Sequence, residues 1–172
     1  MIQFLQIIRE RAISQTTLLL GFVWALGSCT GDMYYNQYKP IAEGKWHKDS
    51  IIDFKISSND TLSKNNIYLT LRNNKDYEFS NLFLIVGMQF PNNYQVVDTL
   101  EYEMTTPEGR FLGTGMTDVK ENRLEYKTNV TFSLEGDYHL TIQQAMRKTR
   151  EIEGLTYLNG ITDVGVQIEK VK

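Results

Sequence analysis

From position 52 onward the chain alternates apolar and polar residues. Ile52, Phe54 and Ile56 are set against Asp53 and Lys55, and Ile67, Leu69 and Leu71 against Tyr68, Thr70 and Arg72. A period of two puts successive side chains on opposite faces of an extended backbone, so both runs predict half-buried strands. Residues 82–88 (LFLIVGM) are apolar on both parities, which predicts a central strand covered on both faces. Val96, Leu100, Tyr102 and Met104 then share one parity, broken only by Asp98, while Thr99, Glu101 and Glu103 share the other. Turn-forming residues bound this strand at 91–93 (PNN) and 106–109 (TPEG), and a short strand is expected around Phe111 and Leu112. Leu124, Tyr126, Val130 and Phe132 alternate with polar neighbours, Glu135-Gly136-Asp137 reads as a turn, and Tyr138, Leu140 and Ile142 alternate again, so this pair predicts a hairpin. Residues 144–153 (QAMRKTREIE) predict a short helix or a charged loop, and Val164, Val166 and Ile168 a last strand. About eight short strands with turns between them predict an all-β fold, an antiparallel β-sandwich.

The N-terminus follows a different pattern. Arg9 and Arg11 precede an apolar or glycine run over 18–26, which ends in Leu26-Gly27-Ser28-Cys29. A basic flank, a short apolar run, small residues and then the sole cysteine is how bacterial lipoprotein signal sequences end. The run is too short to span a bilayer, which takes about 20 apolar residues. The expected organisation is a signal peptide over 1–28, an acylated tether over 29–44 and a β-sandwich domain over 45–172. Leu26, Gly27 and Ser28 are the expected recognition residues of the signal peptidase, and Cys29 the lipidation site. The tether is interrupted by Gly31, Pro40 and Gly44 and, fully extended from 30 to 44, would reach about 50 Å. Its Tyr34, Tyr35 and Tyr38 are expected either to dock on the domain's own surface or to order on a partner.

Charge and chemistry narrow the field. The chain carries a net charge of −3, and −4 once Arg9, Glu10 and Arg11 leave with the signal peptide; no basic run occurs. Nucleic acid and anionic bilayers require clustered Lys and Arg, so neither is an expected partner. The single cysteine leaves none for a disulfide. No nucleophile elbow, phosphate loop, dinucleotide fingerprint or zinc spacing is present, and His47 and His139 read as surface residues. No cofactor, metal or catalytic residue is therefore expected, and the paired Glu101 and Glu103 read as solvation of an exposed strand face. Two weaker signals remain. Trp46, beside His47, Lys48 and Asp49, is either a core lid or a platform for a sugar ring, and Asp118, Glu121 and Asn122 are candidates for a calcium loop that lacks the regular pattern.

The lipobox, Gly44-Lys45-Trp46, residues 72–84 (RNNKDYEFSNLFL), 98–104 (DTLEYEM), 107–113 (PEGRFLG) and 161–165 (ITDVG) together resemble the GldH family of gliding-motility lipoproteins of Bacteroidetes. The resemblance implies an outer-membrane lipoprotein needed for gliding and the linked type IX secretion apparatus, whose partners are envelope proteins of that machinery and which has no catalytic residue. Thr30 follows the cysteine where an Asp would suggest inner-membrane retention, and the absence of the acidic run that marks surface-exported lipoproteins favours the periplasmic face of the outer membrane. A carbohydrate-binding lipoprotein using Trp46 is the alternative. Asp49-Ser50-Ile51, Asp60-Thr61-Leu62 and Asp98-Thr99-Leu100 look like the Asp-Ser/Thr-hydrophobic acceptor of that phylum, making Ser50, Thr61 and Thr99 candidate O-glycosylation sites, with Thr61 favoured as part of a polar loop.

Overall fold

The computed structural model describes residues 33–148 and 152–171; Leu26, Gly27, Ser28 and Cys29 lie outside the described residues. The elements are β1 (Met33–Pro40), a 3₁₀ turn (Ala42–Gly44), β2 (Lys45–His47), β3 (Ile52–Ser58), β4 (Asn65–Asn73), β5 (Asn81–Gln89), β6 (Gln95–Glu103), β7 (Lys120–Val130), β8 (Gly136–Gln144), β9 (Tyr157–Asn159) and β10 (Ile161–Lys170). There are two antiparallel four-stranded sheets, ordered β1-β10-β4-β7 and β3-β8-β5-β6, and the short pair β2-β9 forms a third, two-stranded one. The inward parity of each strand is the apolar one. Phe54 and Ile56, Leu69 and Leu71, Leu84 and Val86, Leu140 and Ile142, and Val164 and Val166 are fully buried in one continuous core between the sheets. The all-β sandwich expected from the period of two is therefore present.

Residues 33–40, placed in the tether by the sequence, form a strand. β1 pairs along β10 from Met33 opposite Glu169 to Pro40 opposite Asp163 and packs over β3. An edge strand leaves one side of its backbone unpaired and much of its surface solvated, so MYYNQYKP carries a weak apolar period, and Pro40 stands at its last position, where a missing amide is tolerated. Tyr38 lies flat on the sheet beneath the Arg72 guanidinium, 4.3 Å from its ring centre. Gly165 on β10 makes that possible. A Cβ there would sit 2.7 Å from the Tyr38 ring and 2.7 Å from the Gln37 carbonyl oxygen.

The expected hairpin between residues 124–132 and 138–142 is not one. β7 pairs with β4 in the first sheet, β8 with β3 and β5 in the second, and residues 131–135 carry the chain across. Phe132 is buried in the crossing, and the Tyr138 hydroxyl donates to the Leu134 carbonyl oxygen at 2.9 Å, which fixes its course. Alternation reports which face is buried and leaves the partner strand unspecified, and here both strands turn their apolar faces into one core. Three smaller departures have similar causes. Around Phe111 there is one isolated bridge, to Thr105. β5 is core-covered on one face, through Leu82, Leu84, Val86 and Met88, while Phe83 and Ile85 are half-buried on the other. Gln144 ends β8 and residues 145–148 carry no helix.

Candidate interaction surface

Trp46 is fully buried. β2 holds it against β9, opposite Leu158, and its indole N–H donates to the Ser50 carbonyl oxygen at 2.9 Å. No face of the ring is open to a sugar, so the glycan platform is replaced by a core lid that is hydrogen-bonded as a buried indole must be. His47 accepts the Asp49 amide at 3.1 Å and meets Tyr157 edge-on, ring centres 4.8 Å apart. His139 lies 3.0 Å from Asp53 on the outer face of the second sheet. Glu101 accepts from the Asn81 amide at 2.8 Å, a cross-strand bond on the exposed face.

The calcium candidates diverge. Glu121 pairs with Arg72 at 2.9 Å on the outer face, whereas Asn122, the next residue, turns inward and donates to Oδ1 of buried Asn73 at 2.8 Å; Asp118 is exposed. Neighbours on one strand point to opposite faces, so these two cannot share an ion. Among the described residues, no group of three or more His, Cys, Asp or Glu could hold a metal.

Of the glycosylation candidates, Ser50 and Thr99 are exposed, whereas Thr61 is half-buried. Its loop is braced by Asp60, which accepts from the Leu62 and Ser63 amides, the Ser63 hydroxyl and the Lys170 ammonium, at 2.6 to 3.1 Å. These four donors, Lys170 foremost, hold the Asp60 carboxyl far below the ordinary carboxylate range.

A cavity of about 330 Å³ lies between the sheets near the β6 and β7 edges, lined chiefly by Met88, Phe90, Val96, Tyr126, Phe132 and Tyr138. Its walls are mostly apolar, with Lys127 the one charged residue among them. A wider, open cleft of about 650 Å³ runs past Arg72, Glu121, Thr162 and Asp163, where the one arginine is already matched by Glu121.

The two ends of the sandwich are distinguished by strand direction. β1, β4, β6 and β8 start at the end where β3, β5, β7 and β10 finish, so this near end gathers the N-terminus of β1, the loops at 59–64, 90–94 and 131–135, and the end of β10. The far end gathers the loops at 74–80 and 104–119, residues 145–148 and 152–156, and the β2-β9 pair. Exposed Ile51, Leu112, Met116, Ile152 and Tyr157 belong to the far end, and Leu62, Tyr94 and Val171 to the near end. Isolated apolar residues in loops have no period, so nothing in the sequence pattern singles them out.

The family model of the GldH lipoprotein matches residues 33–168, the span of the sandwich. The "Gliding motility lipoprotein GldH homolog" of Christiangramia forsetii is 48% identical over 143 residues, 83% of this chain and 87% of its own length. The "Gliding motility lipoprotein GldH" of Flavobacterium johnsoniae is 42% identical over 158 residues, 92% of this chain and 98% of its own length. Among solved structures, a family GH115 4-O-methyl-α-glucuronidase with specificity for decorated arabinogalactans superposes with a TM-score of 0.39 at 13% identity, over 82% of this chain and 17% of that one; a likeness so loose carries no functional argument. With the family match spanning the folded domain and two relatives agreeing over nearly their full lengths, the chain belongs to the GldH lipoprotein family and is a lipid-anchored protein of the outer membrane.

Proposed function

We propose that this lipoprotein acts without catalysis, as a subunit or assembly factor for gliding motility and the linked type IX secretion machinery, and that its far end is the face that meets an envelope protein. The observation that carries the reading is the set of large apolar side chains displayed there: Met116 and Ile152 are almost wholly exposed, and Ile51, Leu112 and Tyr157 are at least half so. Large apolar side chains left exposed at one end of a folded domain are what an interaction surface is built from. Anchoring through Cys29, four positions before β1, leaves the far end as the part of the domain turned away from the point of attachment. No acidic run follows the cysteine, which supports the periplasmic face.

The test is photo-crosslinking in the native envelope. A crosslinking amino acid at Met116 or Ile152 is expected to capture an envelope protein of this machinery, and the same probe at Thr99, on the outer face of the second sheet, is not. Equal capture from all three positions, or none from the far end, overturns the assignment. Cys29→Ser is expected to abolish acyl labelling and leave unprocessed precursor, and acylation that survives the substitution would place the anchor elsewhere.

A further inference from the structure

We propose that the near end of the sandwich is a second, non-covalent contact with the bilayer that carries the anchor, in which Leu62 and Tyr94 enter the lipid interface and hold the domain upright. The chain length outside the sandwich is the first argument. Thr30, Gly31 and Asp32 are the only residues between Cys29 and the start of β1, so the acylated cysteine stands within about 14 Å of the near end even when that stretch is fully extended. A domain so leashed cannot stand clear of the headgroups, and the end it presents to them is the one where β1 begins.

The composition of that end is the second argument. Leu62 is 88% exposed and Tyr94 62% exposed, Leu62 within the 59–64 loop and Tyr94 at the base of the 90–94 turn, both of which close the near end. Neither is held loosely. The Leu62 loop is fixed by the four bonds to Asp60 and by the Val171 amide donating to the Lys64 carbonyl oxygen at 2.8 Å. Tyr94 packs on Phe90, ring centres 5.7 Å apart, and Phe90 packs in turn on Tyr138 at 5.3 Å. Rigid display of a leucine and a tyrosine suits an interface in which the apolar body is buried and the phenol stays wet.

Charge at this end is mixed. Asp60 is matched by Lys170 and Glu169 by Arg123, with Lys64 and Glu135 nearby. The contact is therefore apolar and needs no anionic lipid, in keeping with a chain that has no basic run. The far end is carried outward by strands of nine or so residues, about 30 Å from the lipid.

The test uses the mature, acylated full-length protein in phosphatidylethanolamine vesicles whose acyl chains are brominated. Leu62→Trp, Tyr94→Trp and Met116→Trp are compared, with buried Trp46 as a constant background in all three. Each replaced side chain is exposed, and circular dichroism confirms that the variants keep the fold. Loss of indole fluorescence to the bromolipid is expected at positions 62 and 94 and absent at 116. Positions 62 and 94 no more quenched than 116, whether all are quenched or none, would overturn the proposal, as would quenching at only one of the two near-end positions. Crosslinking at the far end is a separate measurement, so either result can fail without the other.

Discussion

Tyr126 on β7 donates its phenolic hydrogen to Oδ2 of Asp98 on β6, 2.9 Å away, across the edge where the two sheets meet. Lys127 reaches the same oxygen at 2.8 Å. This accounts for the polar residue on the apolar parity of β6: Asp98 points inward because two donors from the facing sheet meet it there. The Lys127 ammonium above all holds its carboxyl below the ordinary carboxylate range; burial opposes it, and the Tyr126 hydroxyl adds a lesser push in the same direction as Lys127. A carboxylate with a depressed folded-state pKa stabilises the fold above its unfolded value, near 4, and that contribution is lost as pH falls through the folded value. Wild-type stability is therefore expected to decline from about pH 5 downward, with a shallower decline in Asp98→Asn. Tyr126→Phe should cost about 1 kcal/mol at neutral pH. Denaturant titrations across pH 2–7 check both, and parallel curves for wild type and Asp98→Asn would remove the pair from the account.

Gly165→Ala tests the closure of the first sheet. The new methyl group would meet the Gln37 carbonyl oxygen and the Tyr38 ring at 2.7 Å, and Thr70 Oγ1 at 2.5 Å. Backbone on one side leaves little room to yield, so β1 must shift away from β10, at a cost of about 1–3 kcal/mol. Hydrogen exchange should show the amides of β1 losing protection before those of β4. Unchanged protection of β1 would mean that the strand is held by something other than this close approach.

Leu140→Asp and Thr141→Asp separate the two faces of β8. Leu140 is fully buried between the sheets, and an aspartate there has no partner, which costs several kcal/mol against a domain stability of about 5–15 kcal/mol. Thr141 faces the outer side beside Gly87, and its replacement should leave the protein folded. Thermal unfolding followed by circular dichroism distinguishes them; equal loss in both would contradict the register of β8 on β3.

If the acceptor motifs are used, Ser50 and Thr99 should carry sugar ahead of Thr61. Both are exposed, whereas Thr61 is half-buried in the braced loop at the near end. Intact mass of protein from its native host, compared with Ser50→Ala, Thr61→Ala and Thr99→Ala, reads this directly. A mass equal to that of the unmodified lipoprotein would dismiss the modification, and a shift lost only in Thr61→Ala would reverse the order.

The parity of Phe54 and Ile56 or of Val164 and Val166 was legible from the sequence because burial on one face is a local property of an extended chain. Strand partners were not. Nothing in residues 124–142 distinguishes a hairpin from a crossing between sheets, since Tyr126 and Leu140 are apolar for the same reason in either arrangement. β1 went unread because an edge strand has few positions to bury, and its Tyr38 is held by Arg72 on β4 and Gly165 on β10, far along the chain. Trp46 was visible as either lid or platform, and the choice depended on the Ser50 carbonyl, a backbone group that no side-chain pattern reveals. The exposed loop residues Leu62, Tyr94 and Met116 carry no signal at all until strand directions sort them by end.

The pairing of β1 with β10 joins the first strand of the domain to the last. During export the N-terminal segment crosses first and has no neighbour to add to until the final residues arrive, so this contact, with its long sequence separation, is late and slow to form. β1 is therefore without its partner strand for as long as β10 has not emerged. Assembly is thereby ordered in time: the first strand of the domain waits, and the last strand to emerge completes the four-stranded sheet.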